Sequence, residues 1–330
     1  MPTLQLSIKN YYMNRYLIKR LLISIPTLIA ISVVIFTVLA LAPGDPLGEF
    51  ATNPSLTAEV RENIRKSLGL DLPIYLRYFK WAGAFLQGDM GYSFNSRSPV
   101  GELILQRLPA TLFVVGSAYI VGILVAFPLG IVSAIKRYSI IDQIATTLGL
   151  IWFSLPTFFT GLLVILIFCV QLKWLPSMYD STLEVRDWAS FGGMVRQCIL
   201  PVGVLGLYQA ARLMRFIRAS VLEQLNQEYV RTAYAKGLSG MRVIFRHVLR
   251  NALIPVVTLV ALDVPGVFTG ALVTEQVFRV PGIGALLIDS IYRSDTPVVM
   301  GITFIYGILI VVFNLIADIL YSLLDPRVEY

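Results

Sequence analysis

Charge is scarce in this 330-residue chain: Asp, Glu, Lys and Arg make up 14% of it, against 56% hydrophobic residues and a mean hydropathy of +0.74. Soluble domains carry roughly 25% charged residues, so the solvent for most of this chain is lipid. There is one histidine, His247, and no His-based metal set or catalytic triad can be assembled from it. That argues against an intramembrane hydrolase. Two cysteines, Cys169 and Cys198, make neither a disulfide framework nor a metal cluster, and read as two buried thiols. No Gly-x-x-x-x-Gly-Lys-Ser/Thr loop is present, so the chain lacks the phosphate cradle needed to bind and hydrolyse ATP.

What is abundant is long apolar stretches. A bilayer core of about 30 Å needs about 20 apolar residues at helical rise. Six stretches qualify: 21–42, 108–135, 143–172, one starting near 197, 251–274 and 296–324. The fourth must carry Arg212 toward one membrane face, because a midplane Arg costs roughly 2.5 to 3.5 kcal/mol. The fifth is interrupted by Asp263. Although Lys9, Arg15, Lys19 and Arg20 precede the first run and Ala40-Leu41-Ala42 looks like a cleavage site, the run is longer than a signal h-region, which predicts a retained first helix. The expectation is an all-α membrane protein with six transmembrane helices: 1–20 an N-terminal segment, 21–42 the first helix, 43–107 a folded external region, and 108–330 a core holding helices 2 to 6.

Lys and Arg set the orientation. The N-terminal segment has four, the turn after the second span has Lys136 and Arg137, and the segment 212–250 has eight against Glu223 and Glu228. All three belong inside, and both termini are then cytoplasmic. The segment 45–107 carries seven acids and seven bases, as an external region can. Within it Val60, Ile64 and Leu68 repeat at helical spacing, with Ser55 or Thr57 as cap and Gly69 as stop. A second helix starts at Pro73, places Tyr78, Trp81 and Phe85 near one face and ends at Gly88. The region is either an amphipathic cap on the membrane or a dock for an external partner. Pro128 and Gly130, Pro156 and Gly161, Pro201 and Gly203, and Pro265, Gly266 and Gly270 interrupt spans, marking either a pathway or packing kinks. The aromatics Trp152, Phe153, Phe158 and Phe159 read as lipid-facing or packing surface.

The polar loop at about 219–250 contains Glu228-Tyr229-Val230-Arg231-Thr232-Ala233-Tyr234-Ala235-Lys236-Gly237-Leu238-Ser239-Gly240. It reads as helix, glycine stop with φ > 0, and a second short helix over 241–249. Ala233, Ala235 and Gly237 leave room for another surface to approach; the basic character also suits anionic headgroups. This segment resembles the EAA loop of permeases in binding-protein-dependent ABC importers, particularly the oligopeptide and dipeptide branch. By that resemblance Arg231, Thr232, Ala233 and Gly237 occupy the motif's E, A, A and G positions, departing at the first two. Other stretches resemble the same branch in order along the chain: Ala42-Pro43-Gly44-Asp45-Pro46, Leu68-Gly69-Leu70-Asp71, Gly88-Asp89-Met90-Gly91-Tyr92-Ser93-Phe94, Arg107-Leu108-Pro109-Ala110-Thr111, Asn251-Ala252-Leu253-Ile254-Pro255, Phe278-Arg279-Val280-Pro281-Gly282-Ile283-Gly284 and Leu323-Leu324-Asp325-Pro326-Arg327.

The resemblance implies a type I ABC importer permease fold in a bacterial inner membrane. It implies a coupling site at Glu228, Arg231, Thr232, Ala233, Ala235, Lys236 and Gly237, which fits a cleft of a cytoplasmic ATPase. The implied partners are two such ATPases, a second homologous permease and an extracytoplasmic binding protein that delivers peptide, or else nickel chelate, glutathione or another small solute. ATP and Mg would sit on the ATPases; no cofactor, metal or nucleic acid is expected on this chain. Asp263 is the intramembrane candidate for the translocation path, either meeting the amino group of a passing peptide or bonding between helices. Glu275 is a second path candidate or an ordinary rim charge. The residues 280–284 form either a tight re-entrant turn or a plain loop. A secondary transporter or channel is the rival class, and it would require coupling-ion or pore residues in the spans.

Overall fold

The computed structural model describes residues 2–41, 59, 66, 71–180, 183 and 185–324. The expected helix built on Val60, Ile64 and Leu68, with Ser55 or Thr57 and Gly69 at its ends, lies outside the described residues, as do the stretch 42–46 and the stretch 325–327. Among the described residues the chain is helical, with a single isolated bridge between Tyr92 and Pro99. The helices are α1 (Pro2–Leu41), α2 (Ile74–Leu86), α3 (Val100–Ile135), α4 (Ile140–Ser154), α5 (Thr157–Val164), α6 (Trp188–Leu225), α7 (Glu228–Ala235), α8 (Gly240–Val243), α9 (Leu249–Phe278), α10 (Ile283–Tyr292) and α11 (Thr296–Leu324). Two π-helical turns, Ile165–Gln171 and Ile244–Val248, follow α5 and α8.

Five helical stretches are long and apolar enough to cross a membrane: Ile18–Leu41, Val100–Ile135, Trp188–Leu225, Gly240–Gly266 and Thr296–Leu320. The remaining expected span is the pair Ile140–Ser154 and Thr157–Gln171, bent by 104°. The span expected over 143–172 is thus sharply bent, at one of the residues that interrupt it in sequence, Pro156. Leu155 is extended (φ −86, ψ 133) ahead of Pro156, as the ring of a following proline demands, and Pro156 has no N–H to carry the ladder on. Prolines elsewhere do not break their helices: Pro201, Pro255 and Pro265 stay inside α6 and α9. A second bent pair, Ala271–Phe278 with Ile283–Tyr292, turns by 83°. The short helix expected over 241–249 instead runs through the π turn into α9; neither glycine nor proline occurs over 241–254 to stop it.

The chain divides into two compact units. One comprises Met1–Lys19, Ala110–Ala285 and Val312–Tyr330. Its core joins α3, α6, α7, α8 and α9 through Ala126, Leu213, Met214, Ile217, Val221, Val230, Val243, Val248 and Val256. Lipid is as apolar as these side chains, so close packing and hydrogen bonds hold helices together there. Glycine supplies the closeness. A Cβ on Gly130 would lie 2.9 Å from both Ile217 Cβ and the Met214 carbonyl, and one on Gly206 would lie 3.0 Å from the Ala118 carbonyl. Gly130 is therefore a packing residue in an unbroken helix.

The other unit comprises Arg20–Pro109 and Leu286–Val311. Here α2 starts after Pro73 and ends where Gly88 takes φ +85, as the sequence leads one to expect. Tyr78, Trp81 and Phe85 do share a face, and they join Phe36 and Phe304 in an aromatic cluster with centroids 4.7 to 6.2 Å apart. Each such pair contributes roughly 0.5 to 1.5 kcal/mol beyond its area. Asp295, 3% exposed, accepts from the hydroxyl of Ser93 and from the backbone N–H groups of Phe94 and Asn95. That carboxylate fixes the Gly88–Phe94 motif in place.

Candidate functional site

The first candidate is the segment that joins α6 to α9. Its helix α7 is amphipathic over two turns. Val230 and Ala233 are 2% and 6% exposed and sit in the core beside α6, α8 and the following π turn. Glu228, Arg231, Thr232, Ala235, Lys236 and Gly237 are exposed. The residues expected at the coupling site thus separate: six lie on the outer surface, while Ala233 is part of the root that holds α7 down. Arg231 Nη1 pairs with Glu228 Oε1 at 2.9 Å, but both are open to solvent and such a pair is worth about 0 to 1 kcal/mol. Their charges remain available to a partner surface.

Gly237 takes φ +79, its N–H donates to the Tyr234 carbonyl at 2.9 Å, and the Leu238 N–H donates to Ala233 at 3.4 Å. A Cβ there would meet nothing within 4 Å. The left-handed backbone, not crowding, is what calls for glycine. After the turn α8 begins, and the chain continues without a break into α9.

The second candidate lies on α6 and α9. Asp263 is 4% exposed; its Oδ1 pairs with Arg212 Nη2 at 2.7 Å and its Oδ2 accepts from Gln209 Nε2 at 3.1 Å. This is a bonded group between helices, with both oxygens engaged. Arg212 is the open member of the pair, its side chain 43% exposed. Beside it is a cavity of about 480 Å³ lined by Phe153, Pro156, Phe158, Tyr208, Gln209 and Arg212 among others. The α4–α5 elbow at Pro156 forms one wall. Phe153 stacks on Tyr208 with centroids 5.3 Å apart, and Arg215 lies over its other face at 4.4 Å. Phe153 is thus packed within the protein, while Phe158 and Phe159 stay exposed.

Glu275 is not a rim charge. It is 0% exposed. Its Oε1 accepts from Thr111 Oγ1 at 2.7 Å, and its Oε2 accepts from the N–H groups of Gly284 and Ala285 at 2.7 and 3.1 Å. Thr111 Oγ1 in turn accepts from the Ile283 N–H at 2.8 Å. Three N–H groups in the first turn of α10 are satisfied this way. The stretch 280–284 is accordingly a tight turn, in which the Gly282 N–H donates to Val280 and Arg279 takes φ +57. Two of the sequence stretches noted above, 107–111 and 278–284, meet at this carboxylate.

Sequence reasoning missed three participants: Arg212 and Gln209 as partners of Asp263, and Asp142. The last, 3% exposed, takes both Nε and Nη2 of Arg218 at 2.7 and 2.8 Å and accepts from the Tyr138 N–H, tying the start of α4 to α6. One signal was available for Arg212: a charge inside a span needs a partner, and it was the other ionisable group singled out there. Nothing local marked Asp142, which lies at the edge of an apolar run.

A family model described as "Binding-protein-dependent transport system inner membrane component" matches residues 126–330, and an N-terminal model of the same transport systems matches residues 13–115. The chain belongs to this family. The permease is 41% identical over 319 residues to the oligopeptide transport system permease protein AppB of Bacillus subtilis, covering 96% of this chain and all of that one. It is 37% identical over 318 residues to the glutathione transport system permease protein GsiC of Escherichia coli K12, covering 96% and 100%. It shares its fold with a chain of an amino acid ABC transporter crystallised with histidines, at TM-score 0.51 and 14% identity, covering 67% of the permease and 93% of that chain. The permease is therefore a multi-pass inner-membrane transport component rather than an enzyme, and its family works with a binding protein and an ATPase.

Proposed function

We propose that the chain is the translocating subunit of an ATP-driven importer for di- or oligopeptides, moved by alternating access from the α7–Gly237–α8 segment. The observation that carries this reading is the shape of that segment: a short helix rooted by Val230 and Ala233, presenting Glu228, Arg231, Thr232, Ala235, Lys236 and Gly237 outward, and covalently continuous with α9. A partner gripping the outer face pushes on α8, which is joined to α9 through the helical π turn Ile244–Val248 with no non-helical residue between them. Small side chains at Ala235 and Gly237 allow close approach.

The assembly in this reading has one homologous permease beside this chain, two cytoplasmic ATPases holding ATP and Mg, and an external binding protein. No cofactor sits on the chain itself. The lysine and arginine bias supports cytoplasmic termini and an external 43–107 region. Peptide cargo is supported by 41% identity to an oligopeptide permease; glutathione is the second cargo reading, supported by 37% identity to GsiC. Ligand identification on the co-purified binding protein separates them.

The test of the mechanism is Gly237→Trp. A tryptophan at φ +79 strains the turn by about 1 to 2 kcal/mol and places bulk on the outer face, where space is open. We expect normal membrane insertion with uptake and substrate-stimulated ATP hydrolysis uncoupled in the reconstituted assembly. Unchanged values of both would refute the coupling role. Solute passage at full rate without any ATPase subunit would refute the importer reading.

A further inference from the structure

The cavity beside Pro156 contains a positive charge and no negative one. Of its lining residues only Arg212 carries a charge at neutral pH, while Asp263 is closed off behind it at 4% exposure. Both oxygens of Asp263 are engaged: one faces Arg212 and the other accepts from Gln209. The guanidinium is in the opposite condition. It is committed to Asp263 through Nη2, and among the described residues no other hydrogen-bond acceptor takes its remaining N–H groups. A planar donor fork of that kind, set in a wall of Phe153, Phe158, Leu205 and Val273, is suited to a carboxylate, since charge-assisted bonds strengthen where apolar walls exclude water. The volume, about 480 Å³, falls in the range of small-molecule sites, roughly 300 to 1,000 Å³.

We propose that this cavity is a passage site for the free carboxylate of the cargo, with Arg212 as the residue that touches it and Asp263 and Gln209 as positioning residues. Asp263 then orients the guanidinium and lowers its net attraction, so that cargo is held briefly rather than trapped. The role considered for Asp263 from sequence, meeting the amino end of a peptide, passes to a residue of opposite sign meeting the other end. This inference rests on the reading of the chain as a peptide importer.

The test uses the permease assembled with its partner subunits in vesicles of neutral phosphatidylcholine, so that anionic headgroups cannot occupy the site. ATP-driven uptake of a tripeptide is compared with uptake of its C-terminal amide, using a pair that the binding protein holds with equal affinity. We expect the wild-type assembly to prefer the free acid by about tenfold, and Arg212→Gln to bring the two rates within about twofold by lowering acid uptake. Arg212→Lys should restore part of the preference. Because Arg212→Gln leaves Asp263 unpaired, the double variant Arg212→Gln, Asp263→Asn removes both charges and should show the same convergence. Equal acid and amide rates in the wild type overturn the site, whatever the variants do. A loss in both variants that falls equally on the two peptides also overturns it, since that is the signature of a structural ion pair. ATP-independent passage of both peptides overturns the importer reading, and this site with it.

Discussion

Asp263 and Glu275 share one helix, α9, and both carboxylates are buried, yet their surroundings differ in kind. Asp263 is matched by a charge, Arg212, that opens onto a cavity. Glu275 is matched by neutral donors alone, a hydroxyl and two backbone N–H groups, and nothing of it is exposed. A buried acid paired with a half-open cation leaves that cation free N–H groups to offer to cargo. A charge stitched to backbone cannot be displaced without unmaking a turn. The lesson is that burial of an acid inside a membrane protein does not by itself mark a transport path; what balances the acid decides.

The sharpest way to break this contrast is Gly282→Ala. A Cβ there would lie 2.2 Å from Glu275 Cδ, inside a carboxylate whose position is fixed from three sides. We expect a loss of about 3 kcal/mol or more, read as collapse of the thermal midpoint or of monodisperse yield in detergent; a midpoint within a degree of wild type would show that the clamp yields freely. Glu275→Gln is milder. The amide keeps one acceptor oxygen but turns an NH2 toward existing donors, and should cost about 2 kcal/mol while leaving the acid-over-amide preference of uptake intact. A changed preference would place Glu275 on the path.

Asp263→Asn sharpens the comparison from the other side. Stability should shift by about 1 kcal/mol, since an asparagine of the same shape keeps an acceptor oxygen for Arg212, while uptake changes several-fold. Equal uptake kinetics across several substrates would remove the residue from any path role.

The smallest effect is expected at Asp187, an exposed acid doing at the surface what Glu275 does in burial. It caps α6, accepting from the Ser190 N–H, and Ser190 closes the capping box. The backbone bond from Ser190 holds its carboxyl below the usual carboxylate range. A depressed value in the folded state means that the cap is intact above the unfolded pKa and is lost as pH falls through the folded one. Asp187→Ala should therefore increase amide exchange in the first turn of α6 at neutral pH, with the difference from wild type fading in acid. A difference that persists unchanged at low pH would assign the protection to something other than the cap.

Features set by one residue's backbone demands were readable before the fold. Gly237 and Gly88 terminate their helices where φ must be positive, Pro73 opens α2, and the 3.6-residue spacing of Tyr78, Trp81 and Phe85 put them on one face. Features set by a second residue far along the chain were not. Pro156, Pro201, Pro255 and Pro265 look alike in sequence, but of these four only Pro156 ends a helix, while the other three stay inside α6 and α9. Likewise the partner of Glu275, Thr111, is fixed by how α3 packs, which no window on either segment contains. The helix, glycine turn and second helix of the segment 228–240 were legible, although the inward face of Ala233 needed the core beneath it. The break expected after 249 failed because an amphipathic stretch and an apolar one can form a single helix when no stop residue separates them.

That uninterrupted run has a mechanical consequence. From Gly240 to Phe278 the chain rises at roughly 1.5 Å per residue, so an angular change of a few degrees at one end becomes a displacement of several ångström at the other. The π turn at Ile244–Val248 and the prolines at 255 and 265 are the points where such a rod flexes, and they set how much of the amplified arc reaches the turn at Arg279.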